Sequence, residues 1–182
     1  MTPLLRDTLL RLVVPGVGIG IMLAAARMRN LSLSGDLGIR LPTFTQALVW
    51  SLIFSGLLIA EEVIWKAAGL PQPEPWGPQY AATVKAIRAI AMVTVAPISE
   101  ELLFRGLLYN AIAKTALMRP GAVFITAIAF AALHYQYTLG ELLFVLADGF
   151  FYGVARYVTG STILTMLLHM MGNSYAAYER LR

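Results

Sequence analysis

Along this chain apolar residues gather in long blocks, and polar residues punctuate the gaps. The first block runs roughly from Leu9 to Ala26, loosened by "PGVGIG" (Pro15 to Gly20). Membrane helices tolerate such glycines and prolines. After the polar loop Arg27 to Pro42, a second block runs from Phe44 to Trp65 and closes on "EEVIWK". The stretch Gly69 to Gln79 holds four prolines and cannot be helical. It divides an N-terminal helix pair with its proline-rich loop (residues 1–79) from residues 80–182. The third block, about Tyr80 to Ala116, exceeds a single span of about 20 residues and has Pro97 in its middle. That predicts either one long kinked helix or two helices broken near Pro97. Further blocks run from about Pro120 to Tyr135, Leu139 to Tyr157 and Ser161 to Tyr178. The fifth contains "GFFYG", whose Gly149 and Gly153 are spaced for close helix approach. The pattern predicts an all-α fold: a polytopic membrane bundle of six or seven transmembrane helices, forming one integral membrane domain over residues 1–182, with no internal repeat.

Composition agrees. Hydrophobic residues make up 58% and charged residues 13%, against about 25% charged in a soluble domain, and the mean hydropathy is +0.70. Such a chain cannot cover its surface with polar groups. The net charge of +4 comes from basic residues flanking apolar segments, as in "ARMRN" and "KTALMR". This is juxtamembrane charge rather than a nucleic-acid footprint, so no nucleic-acid partner is expected. Basic residues are too evenly spread over alternate loops to set orientation. Cysteine is absent, which excludes disulfides, thiol nucleophiles and thiolate metal sites. Leu12 to Ala26 lacks a convincing cleavage site and reads as a retained helix.

Against this background, "PISEELLFRG" (Pro97 to Gly106) stands out, because charges within a membrane segment are costly. Glu101 and Arg105 are spaced i, i+4 and share a helix face. Glu100 is rotated away by about 100° and need not be neutralised by the same arginine. The chain holds two histidines: His134 ends the fourth block and His169 lies inside the last, with Asn173 at i+4. A buried ion pair can simply pin helices, and a lone membrane histidine usually bridges helices. Together, however, these residues supply a hydrolytic set. A carboxylate in a low-dielectric cavity makes a base for water, a histidine can share the proton or orient the water, and a histidine with an asparagine amide can donate to an oxyanion. A polar intramembrane cavity is therefore expected.

These residues also carry a resemblance. "EELLFR" (Glu100 to Arg105), "FAALH" (Phe130 to His134) and "HMMGN" (His169 to Asn173) occur in the order EExxxR, FxxxH, HxxxN, with "AP" before the acidic pair and "FRG" after its second member. The chain resembles the CPBP family of intramembrane proteases, which includes CaaX prenyl endopeptidases and bacteriocin-processing or immunity proteins. The resemblance covers about Thr94 to Ser174. It implies that Glu100 is the catalytic carboxylate and that Glu101 and Arg105 complete the first motif. His134 would help activate water, and His169 and Asn173 would polarise the scissile carbonyl. Phe130 would pack beside the site.

Two mechanisms stay open, one glutamate-dependent without metal and one using zinc on Glu100, His134 and His169. HExxH spacing is absent, and the glutamate route is favoured, with no cofactor. "EEVIWK" mimics the first motif but reads as a charged helix terminus. Asp148 and Arg156 receive no catalytic role. The expected partners are the lipid bilayer and a membrane-associated protein or peptide cut near a C-terminal or processing tag. The expected location is the bacterial cytoplasmic membrane. The chain ends soon after the third motif, which suggests a compact substrate. Competing readings are a non-proteolytic scaffold or immunity protein, and an ion-coupled transporter.

Overall fold

The computed structural model describes residues 3–72 and 74–182; Pro73, within the proline-rich loop, lies outside the described residues. Among the described residues there are six helices and no strand: α1 (Pro3–Met28), α2 (Phe44–Ala67), α3 (82–113), α4 (Met118–Ala132), α5 (Leu139–Thr159) and α6 (Thr162–Leu181). α1, α2 and α5 are long and apolar enough to cross a membrane. The chain is an integral membrane protein built as a helix bundle.

The apolar pattern located every helix, and the ends differ for physical reasons. α1 starts six residues before the expected Leu9, because its early charges are paired. Arg11 meets Asp7 at 3.1 Å and Arg88 of α3 meets the same carboxylate at 2.9 Å. α5 begins on a capping box, with Thr138 and Glu141 each accepting the other's backbone N–H. It ends at Gly160, whose φ of 68° is the left-handed cap that favours glycine. Ser161 then caps α6 by accepting from the Leu164 N–H.

The third block resolves as one helix with two widened turns. Residues Ala91–Val95 and Leu102–Leu108 are π-helical, flanking an α-helical Ala96–Glu101. Proline lacks an N–H, and its ring crowds the carbonyl four residues back. A wide turn just before Pro97 lets the helix continue, with the Ala96 N–H reaching the Ala91 carbonyl.

The bundle is apolar outside and polar inside. On α1, Val13, Val14, Val17 and Ile21 face outward, as do Leu52, Ile53 and Val63 on α2. Glu101, Arg105, Thr126, Arg156, Thr162, Thr165 and His169 are buried. Buried hydroxyls of Thr126 and Thr159 donate to carbonyls one turn back, at 2.8 and 2.7 Å. An apolar cluster of Phe54, Tyr152, Ala155, Leu164 and Leu168 joins α2, α5 and α6.

α4 and α5 meet at the two glycines singled out above. A Cβ at Gly149 would lie 3.0 Å from Phe130 and 3.3 Å from the Ala127 carbonyl oxygen. At Gly153 it would lie 3.0 Å from Val123 Cγ1 and 3.5 Å from the Val123 backbone. We predict that Gly153→Leu lowers stability by about 2 kcal/mol through overpacking, seen as a lower midpoint in thermal unfolding of the detergent-solubilised protein; an unchanged midpoint would mean that α4 and α5 can separate freely.

Candidate active site

The second wide turn of α3 sets the charges of the first motif. Arg105 donates to Glu101 Oε1 at 3.0 Å, and both side chains are fully buried. A second guanidinium nitrogen donates to the Gly149 carbonyl at 2.6 Å. That carbonyl is reachable because Gly149 brings α5 close to its neighbours. The guanidinium also lies over Phe130 and Tyr152, 4.8 and 5.4 Å from the ring centres. Fork geometry and aromatic faces suit arginine here and would not suit lysine.

α6 adds His169, whose Nδ1 lies 3.1 Å from the same Glu101 oxygen. Glu101 is already held by Arg105, so it accepts and His169 Nδ1 donates. His169 Nε2 is thereby turned towards Glu100, 3.8 Å from its Oε2. The imidazole is stacked on Tyr152, with centroids 5.2 Å apart and planes inclined by 19°, and the Phe130 ring meets it edge-on at 5.5 Å. Three sides of the ring are thus fixed.

The two adjacent glutamates part company as their rotation predicts. Glu101 is fully buried, whereas the Glu100 side chain keeps 29% exposure. His134, just past the end of α4, has Nδ1 3.0 Å from the Phe130 carbonyl. The carbonyl can only accept, so Nδ1 donates and a neutral ring keeps its Nε2 lone pair free. Phe130 lies between the two histidines, 5.1 Å from the His134 ring centre. Its expected packing place beside the site is where it is found. Asn173 donates to the Met92 carbonyl at 2.8 Å and so ties α6 to the first wide turn of α3. One amide hydrogen of Asn173 remains for another acceptor.

All six candidate residues therefore belong to one neighbourhood of α3, α4 and α6. Among the described residues, no three histidine or acidic side chains form a set placed to hold a metal ion. An apolar cavity of about 290 Å³, lined by Ser55, Leu58, Ile59, Met171 and Tyr175, opens between α2 and α6 on the face of α6 opposite to Asn173.

Sequence reasoning missed Tyr152. It lies three residues after Gly149 and shares its face, but within "GFFYG" nothing separates it from neighbouring aromatics. It also missed that Arg156, four residues further on, bonds the Arg105 carbonyl at 3.1 Å. Asp148 makes no contact with the glutamate–histidine set in the hydrogen bonds and ion pairs of the described residues. In "EEVIWK", Glu62 pairs with Lys66 at 2.8 Å as a helix terminus should, but Glu61 turns inward and leaves Oε1 buried without a partner among the described residues.

Comparison with known proteins agrees with the motifs. An uncharacterized 24.3 kDa protein from Escherichia coli is 39% identical over 87 residues, covering 44% of this chain and 38% of the relative. The chain thus spans about two fifths of the curated relative it matches. No solved structure matches it. The family model described as type II CAAX prenyl endopeptidase, Rce1-like, matches residues 82–175. That stretch is more than half of the chain and contains all three motifs, so the chain belongs to the Rce1-like family of type II CAAX prenyl endopeptidases.

Proposed function

We propose that this chain is an intramembrane endopeptidase of the glutamic type, cutting a membrane-associated protein or peptide near a C-terminal or processing tag. The observation that carries the reading is the division of labour between adjacent glutamates. Glu101 is spent on Arg105 and His169, while Glu100 keeps a partly exposed carboxylate beside His169. A purely structural cluster has no use for the second carboxylate.

The proposed chemistry follows from those positions. Water is held between Glu100 and the free Nε2 of His134. Glu100 takes a proton from it as the water oxygen bonds the scissile carbonyl carbon. The carbonyl electrons move to oxygen, where a protonated His169 donates from Nε2 and Asn173 from its remaining N–H. As the intermediate collapses, the C–N bond breaks and the proton on Glu100 passes to the leaving nitrogen, giving a carboxylic acid and an amine. Glu101 keeps His169 oriented throughout, and Tyr152 and Phe130 keep its ring plane fixed. Zinc is not used in this scheme.

Glu100→Gln is expected to cut the hydrolysis rate by at least ~10³-fold, the scale of losing a general base with its electrostatic stabilisation, with thermal unfolding unchanged. Arg105→Met should do the opposite first. By leaving Glu101 buried and uncompensated it should cost about 3–5 kcal/mol of stability, measured as loss of folded protein in detergent. Equal destabilisation by both variants would contradict the division of labour. In cells carrying wild type or Glu100→Gln at matched levels, mass spectrometry of membrane-protein termini should find a small set of uncut tails only with the variant. If no terminus differs while the phenotype persists, a binding role replaces proteolysis. For the purified enzyme, the rate should survive a strong chelator; loss of activity restored by added zinc would overturn the metal-free scheme.

A further inference from the structure

A polar cavity lies at the other end of α4 from His134. It has a volume of about 460 Å³ and sits between the 29–43 loop, the end of α3, the start of α4 and the α5–α6 turn. Its lining carries Arg40, Lys114, Arg119 and Arg156 against one carboxylate, Asp36. That carboxylate is already committed. It accepts from Lys114 at 2.7 Å and from the Ser32 N–H and hydroxyl at 2.8 and 3.0 Å, and these bonds hold its pKa down to about 2.

Arg40 and Arg156 are fixed by groups that do not neutralise them. Arg156 is buried and donates to the Arg105 and Asp36 carbonyls at 3.1 and 3.4 Å. Arg40 donates to the Thr159 carbonyl. Backbone carbonyls orient a guanidinium but leave its full charge, so the cavity keeps an uncompensated positive excess. A further observation points the same way. Tyr109 lines the cavity with only 4% exposure, its ring beneath the Arg156 guanidinium, and its hydroxyl is buried without a partner among the described residues. A buried hydroxyl without a partner is costly, and a phenol donates readily to an anionic oxygen.

We propose that this cavity is a phosphate site that takes the headgroup of an anionic membrane phospholipid. Planar arginine forks match phosphate oxygens, and basic pockets at the ends of membrane helices suit lipid headgroups. Lipid is favoured over a soluble phosphate because the rim is apolar and outward-facing: Tyr157 and Val158 line the cavity and are 45% and 62% exposed, and Leu117 nearby is 53% exposed. Acyl chains can run down that surface while the phosphate sits among the cations. The assignment is independent of the proteolytic reading.

The test is a thermal-shift titration of the full chain in neutral detergent with phosphatidylglycerol, phosphatidylcholine and, separately, inorganic phosphate. Phosphatidylglycerol should raise the midpoint saturably and well above phosphatidylcholine. Lys114→Gln with Arg119→Gln should weaken its apparent affinity about tenfold, as expected for losing charge-assisted bonds to phosphate. Both side chains are exposed, so the fold should persist; should the pair prove unstable, Arg119→Gln alone should still weaken binding about threefold. Lys66→Gln, an exposed lysine at the far end of the bundle, should leave the titration unchanged. No shift in the wild type, or the same shift in the Arg119 variants, overturns the site. A shift with inorganic phosphate that Arg119→Gln abolishes, with none from phosphatidylglycerol, overturns the lipid assignment.

Discussion

The bundle is organised around one ion pair in a place where charge is expensive. Glu101 and Arg105 have no access to solvent, and a buried pair of this kind survives only when further bonds satisfy both partners. Their neighbours supply most of those bonds, leaving Glu101 Oε2 and Arg105 Nε without a hydrogen-bond partner among the described residues. Gly149 lends a carbonyl from α5, His169 lends a ring nitrogen from α6, and Phe130 and Tyr152 cover the guanidinium with their faces. Three helices other than α3 therefore converge on one ion pair. The close α4–α5 packing and the wide turn of α3 both serve that convergence.

Lipid reverses the usual allocation of side chains. Apolar residues of α1 and α2 lie outside because hydrocarbon already accepts them, and nothing drives them inward. What holds the interior is polar: threonine hydroxyls on carbonyls, arginines on backbone oxygens, and the glutamate–histidine set. Each bond replaces water that the bilayer does not provide. The candidate site is thus continuous with what holds the protein together. Substitutions must accordingly be judged by whether they strand a partner.

Much of this was legible in the residues, and the boundary is physical. Helix positions follow from apolar blocks, and the Glu101–Arg105 pairing follows from i, i+4 spacing. The opening of Glu100 follows from its rotation about the axis. The motifs named His169, which meets both glutamates, and His134 and Asn173, whose bonds go to the Phe130 and Met92 carbonyls. The wide turns of α3 were not legible beyond the hint of Pro97, because a π segment depends on packing more than on local composition. Tyr152 was hidden among aromatics that suit membrane helices generally. Arg156 was visible as an anomaly, but its bonds go to backbone carbonyls, which carry no residue-specific signal. The 29–43 loop looked like surface, yet Leu37 is fully buried and its carbonyl accepts from Thr162 at 2.6 Å.

Residue 105 has two faces. Its side chain serves Glu101, while its carbonyl receives Arg156 of α5, which lines the basic cavity. Changing the side chain severs the first connection and leaves the second intact. Moving the backbone disturbs both together. The residue is therefore a mechanical junction: a displacement of α3 at this level would strain its bonds to the candidate site and to the basic cavity alike.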